Sequence, residues 1–172
     1  MHRWLLLLLM FSCNSIFASV TLQKRVTINA ELSINTCALS ISPANVNFQQ
    51  VGLSQLENNA TTPQTVDLNI ACSWPASGIT IKFSPAAGVS ASDTKLMNTG
   101  LSGVGLALSW KENGGADFVP KEFNNTFSPT VATLSQSNTT LGQFQLLPKQ
   151  IPGETPQAGN ISTSLTVEVT YD

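Results

Sequence analysis

The side chains of this 172-residue chain most capable of covalent or metal chemistry are three cysteines, Cys13, Cys37 and Cys72, and one histidine, His2. A thiolate nucleophile needs a base beside it, and a zinc site needs about four N or S ligands. Neither set is left if His2 and Cys13 are lost with a leader peptide. Asp67 and Asp93 sit singly rather than as a carboxylate pair, and the many serines have no activating base near them in sequence. Two further residues with binding chemistry are Trp74 and Trp110, whose rings could stack on a sugar. Trp110 is in phase with Val104, Leu106 and Leu108, and Trp74 lies two residues past Cys72, so both are expected on inward faces.

The first residues decide how many of these groups survive. Met1-His2-Arg3-Trp4 is followed by an apolar run from Leu5 to Phe11 and by Ile16-Phe17-Ala18, an acceptable cleavage site. The run is far shorter than the roughly 20 residues that span a bilayer, and the arrangement is that of a secretory signal peptide. Phe11 fits a lipoprotein cleavage box poorly, so Cys13 is read as part of the leader. Cleavage near Ser19 removes His2 and Cys13 and leaves Cys37 and Cys72 in an oxidising compartment, where they are expected to form one disulfide. The expectation is a protein without catalytic activity, metal or cofactor.

The roughly 150 residues that remain suit one domain. Charged residues are 10% of the chain, the formal net charge is -2, and no basic patch is present, which argues against a nucleic-acid partner. Four Asn-x-Ser/Thr sequons, at Asn59, Asn124, Asn138 and Asn160, are frequent by chance in so Ser-, Thr- and Asn-rich a chain.

Short alternating runs separated by Gly, Pro, Asn and Ser predict an all-β fold. Val66, Leu68, Ile70 and Cys72 form one run, Ile79, Ile81 and Phe83 another, and Val104 to Trp110 a third. Lys111 to Gly115 reads as a hairpin turn, Leu141 to Leu146 as the penultimate strand, and Pro148 to Gly159 as a surface loop. About seven or eight strands of this size fit a two-sheet sandwich.

Both ends of the mature chain carry a strand pattern in excess of a self-contained sandwich. At the C-terminus, Ile161, Leu165, Val167, Val169 and Tyr171 share one face of an extended run from Gly159 to the final Asp172. At the N-terminus, Val26, Ile28, Ala30, Leu32 and Ile34 alternate before the first retained cysteine. That segment is either an ordinary first strand or one that leaves its own domain to complete a neighbour.

With these features the chain resembles the fimbrial subunits of the chaperone-usher pathway, type 1 and P pilus-like. The resemblance is carried by Gly159 fourteen residues from the end, by the penultimate Tyr171 and by the spaced Cys37 and Cys72. Asn47 to Val51 with Leu56 behind it, Gly78 to Phe83 and Gly103 to Leu108 add to it. It implies an incomplete immunoglobulin-like β-sandwich that lacks its last strand and is completed by donor-strand exchange. It divides the chain into a signal peptide (1–18), a donor-strand extension (19–35) and a pilin domain (36–172). The donor face would be Val26, Ile28, Ala30, Leu32 and Ile34; the groove edge would be Gly159, Ile161, Leu165, Val167, Val169 and Tyr171, with the carboxylate of Asp172 anchored by the chaperone. Expected partners are a periplasmic chaperone, an outer-membrane usher and neighbouring subunits, with a host receptor met only through the assembled surface fimbrium. One departure is Ala30, where family donor strands carry a glycine. The competing reading is a self-contained secreted carbohydrate-binding or adhesive β-sandwich.

Overall fold

A computed structural model describes residues 37–172 except 49, 131–132 and 135–137. The expected signal peptide and the donor face Val26 to Ile34 lie outside the described residues.

Strand β1 (Cys37–Ser42) is followed by a short helix, α1 (Leu53–Glu57), and by β2 (Gln64–Cys72). Then come β3 (Ala76–Ser77), β4 (Thr80–Pro85), β5 (Leu96–Asn98), β6 (Val104–Glu112), β7 (Val119–Lys121), β8 (Thr126–Phe127) and β9 (Thr133–Leu134). The chain ends with β10 (Asn138–Gln150) and β11 (Leu165–Thr170). The larger sheet has the order β1-β2-β10-β6-β5, with β7 also on β6; the smaller is β11-β4-β8, and β3 pairs with β9. All pairings in the ladders are antiparallel.

The alternation read from sequence becomes the core. Val66, Leu68 and Ile70 of β2, Leu106, Leu108 and Trp110 of β6, and Phe144 and Leu146 of β10 pack on Ile81 and Phe83 of β4. Trp110, 1% exposed, lies edge-on to Phe127 at a ring distance of 5.5 Å, and Phe83 contacts Phe144 at 5.1 Å. The outward positions of the same strands pair polar groups across the ladder: Thr140 donates to Asn69 (2.7 Å), Gln143 to Asp67 (2.7 Å) and Gln145 to Thr65 (3.0 Å). Asp67 therefore serves the surface of the sheet.

Four expectations are corrected. Trp74 is 49% exposed, because β2 stops at Cys72 and the chain bends at Ser73 and Trp74, so the period of two cannot be carried past the cysteine. Pro148 belongs to β10 rather than to the loop: the β2 ladder ends at Leu146 opposite Gln64, so the proline lies beyond the doubly paired part of its strand. The loop accordingly runs over 151–164. The terminal strand spans only Leu165–Thr170, because β4 ends at Pro85 and offers no further ladder, although alternate half-burial continues through 161–171. Finally, α1 lies where no helix was expected. Its single turn, with Leu56 buried beneath it and Gln55 accepting from the Gly52 N–H at 2.8 Å, is too short to show helical periodicity.

Two of the four sequon asparagines have a local structural reason. Asn59 (φ 52°) and Asn124 (φ 62°) adopt the left-handed conformation that asparagine tolerates better than most residues.

Candidate functional site: an open edge of the sandwich

One edge of the larger sheet is β1, and one edge of the smaller is β11. Among the described residues β1 pairs only with β2, and β11 only with β4. Each edge consequently presents a row of backbone donors and acceptors on the side away from its partner.

At one end the two edges are tied together. Cys37 sits directly opposite Cys72 in the β1–β2 ladder, with Cα atoms 4.0 Å apart, and the two form a disulfide across 35 positions. The N–H of Cys37 donates to the hydroxyl of Tyr171 at 3.0 Å, which links the start of β1 to the end of the chain. The last residue is held as well. Ser77 N–H donates to the Asp172 carbonyl at 3.0 Å, and Asp172 N–H to the Ser77 carbonyl at 2.8 Å.

Toward the other end the edges flank a cavity of about 1310 Å³. Its walls are Ile41 with residues 43–48, 50, 51 and 53 on the β1 side, and 157–165 with Val167 on the β11 side. Val66, Leu106, Phe144 and Leu146 of the large sheet also line it. Ile161, Leu165, Val167, Val169 and Tyr171 are each half-buried and pack on the core from the β11 side. Between them, Thr163 is the polar member of the row, and its hydroxyl donates to the Asn98 carbonyl at 3.2 Å. On the opposite face of β11, Glu168 forms an ion pair of 2.7 Å with Lys82, so that face is polar.

The structure thus brings Ile161, Leu165, Val167, Val169 and Tyr171 into one row, and sets Gly159 in the lining of the cavity against Leu101. Sequence reasoning missed the opposing wall of residues 43–48, 50, 51 and 53 and missed Leu101. Val46 and Phe48 were visible as apolar residues, but nothing in their spacing shows that they line the cavity as well as pack on the core. Chemically the site offers shape, apolar contact and unpaired main chain. Among the described residues no group of His, Cys, Asp and Glu could hold a metal ion.

Comparisons with known proteins agree with this arrangement. A family model described as Fimbrial protein matches residues 24–172. Protein FanG of Escherichia coli is 28% identical over 149 residues, which cover 86% of this chain and 84% of that protein. Among solved structures, the P pilus rod subunit PapA superposes with a TM-score of 0.52 at 17% identity, over 78% of this chain and 99% of that one. A chaperone-usher pilus determined in the context of rod uncoiling gives 0.55 at 18% identity, over 87% and 96% of the two chains. The fold is that of the pilins, an immunoglobulin-like sandwich with a strand missing, and the chain belongs to the fimbrial protein family, as a structural, non-enzymatic subunit of surface fimbriae.

Proposed function

We propose that the opening between β1 and β11 is an acceptor groove for one extended strand, and that the N-terminal extension of this chain is the strand given to a neighbour. The observation that carries this reading is the row Ile161, Leu165, Val167, Val169 and Tyr171 on a sheet edge unpaired among the described residues, beside a cavity of about 1310 Å³. An added strand gains main-chain hydrogen bonds from the edge and apolar contact from alternate side chains; chaperone-pilin complementation is a standing example of this mode. Seating such a face is worth about 8 to 15 kcal/mol before the entropic costs of ordering it.

In this reading residues 1–18 direct export to the periplasm, 19–35 are the donor extension with Val26, Ile28, Ala30, Leu32 and Ile34 as its apolar face, and 36–172 are the acceptor domain. A periplasmic chaperone fills the groove first and holds the carboxylate of Asp172. At an outer-membrane usher its strand is replaced by the extension of the next subunit. Adhesion to a host receptor is then a property of the assembled fibre. An uncovered apolar edge is an aggregation hazard, and sequential occupancy keeps it covered at each stage.

The test is periplasmic production with and without the cognate chaperone. The subunit is expected as a soluble complex with it and as aggregate or degradation product without it; a stable monomer made alone would sink the reading. Ala30→Asp is expected to block donation to a neighbour while leaving chaperone capture intact, and if donation survives, the donor assignment is wrong.

A further inference from the structure

The turn that follows β6 carries chemistry that the groove does not use. Asn113-Gly114 is the one asparagine-glycine pair in the sequence, and both residues are exposed. Gly114 has φ +76°, Asn113 has no such left-handed backbone, and the Gly115 N–H donates to the Glu112 carbonyl at 2.9 Å, which is the pattern of a type II turn. Nothing lies within 4 Å of where a Cβ on Gly114 would stand, and the Gly114 N–H makes no hydrogen bond among the described residues.

The start of the turn is held, and its middle is free. Glu112 Oε2 accepts from the Thr130 N–H at 3.0 Å, which fixes the last residue of β6. Glycine populates both signs of φ, so the peptide between Asn113 and Gly114 can flip from a type II to a type I turn with its ends in place. The flip takes ψ of Asn113 from about +120° to about −30° and carries the Gly114 nitrogen toward the asparagine side chain.

We propose that Asn113 is a site of spontaneous deamidation through a cyclic imide, so that this turn changes chemically after the subunit has folded. The Gly114 nitrogen bonds to Cγ of Asn113, the bond from Cγ to the side-chain nitrogen breaks, and that nitrogen leaves as ammonia with the proton from Gly114. Water then adds to one of the two carbonyls of the imide and a C–N bond reopens, which gives aspartate or isoaspartate at 113 and returns a proton to the nitrogen. Solvent water is the sole co-reactant, and nothing is oxidised or reduced. Each event places a new carboxylate beside Glu112 in the sequence, and the isoaspartate form adds one methylene to the main chain inside the turn.

Other asparagines meet different conditions. Asn59, Asn98 and Asn124 are followed by Ala60, Thr99 and Asn125, whose Cβ atoms crowd the ring closure. The amide of Asn98 is also held, donating to the carbonyls of Ala87 and Val89 at 3.1 Å.

The test follows the folded mature chain, recovered with its chaperone or with an added synthetic peptide of residues 25–36, during incubation in mildly alkaline and mildly acidic buffers. Cleavage after Lys111 and Lys121 gives a peptide, Glu112 to Lys121, in which Asn113 is the only amide side chain, so the mass change from amide to acid is unambiguous. The acid form is expected to accumulate with time, faster in the alkaline buffer, and with isoaspartate, read by isoaspartyl methyl transfer, in excess over aspartate. Gly114→Ala should slow conversion at least about tenfold, equivalent to about 1.4 kcal/mol on the barrier. Asn113→Gln should abolish the iso-linked product. A synthetic peptide of Glu112 to Lys121 sets the rate without the fold. Conversion of that peptide while the folded chain stays intact overturns the proposal, since the turn would then protect Asn113. Aspartate without isoaspartate, or equal rates at Asn59, Asn98, Asn113 and Asn124, overturns it as well.

Discussion

A single side-chain hydroxyl closes one end of the opening. Tyr171 accepts from the Cys37 N–H at 3.0 Å and also packs on the core, so its ring and its hydroxyl do separable work. Tyr171→Phe keeps the ring and leaves a partly buried N–H unpaired, and is expected to cost about 1 kcal/mol in urea denaturation of the peptide-complemented chain. Two of the positive-φ glycines allow a second comparison. Gly103 has φ +70°, and a Cβ there would lie 2.5 Å from Pro156 N and Thr155 C; Gly114 has φ +76° with nothing within 4 Å. Gly114→Ala should therefore cost about 1 kcal/mol for the left-handed backbone alone. Gly103→Ala should cost clearly more, because the 151–159 loop would have to detach as well. At this scale the chain was partly legible. The disulfide followed from two surviving cysteines and a leader peptide, but the partner of Tyr171 is 134 positions away, and no local pattern announces it.

At the scale of elements, β11 has two faces with opposite tasks. Its outer face carries the Lys82–Glu168 ion pair, whose side chains are 35% and 56% exposed. Screening by solvent makes such a pair worth little, so Lys82→Ala should change the unfolding free energy by less than about 0.5 kcal/mol in urea denaturation. Its inner face carries Val167, packed on the core and lining the cavity. Val167→Asp should abolish peptide uptake in a fluorescence assay, since an unpaired carboxylate would be carried into the seam under any inserted strand. The inner face was readable because a period of two survives even where the ladder does not. The extent of β11 was not readable, because a strand ends where its neighbour ends, and Pro85 of β4 sets that limit. In β10, a bulge between Thr140 and Gly142 puts Leu141 and Phe144 on the same inward side despite their odd spacing.

For the whole molecule, stability should depend on what fills the groove. If the 25–36 peptide binds the folded subunit alone, raising it to 100 times its dissociation constant should add about 2.7 kcal/mol to the unfolding free energy. A self-contained sandwich would show no such dependence in the same titration. The sequence alone determined the class of the fold, because hydrophobic alternation, turn residues and a terminal apolar strand are local properties that side-chain chemistry imposes on the chain. It also led to the expectation of a non-enzymatic protein, which membership of the fimbrial protein family supports. Only the tertiary structure decided that β1 and β11 each stand at a sheet edge, that residues 43–48, 50 and 51 line the cavity beside them, and that Leu101 lies against Gly159. Those relations join residues tens of positions apart, and they arise from how two sheets pack, which no run of neighbouring residues encodes.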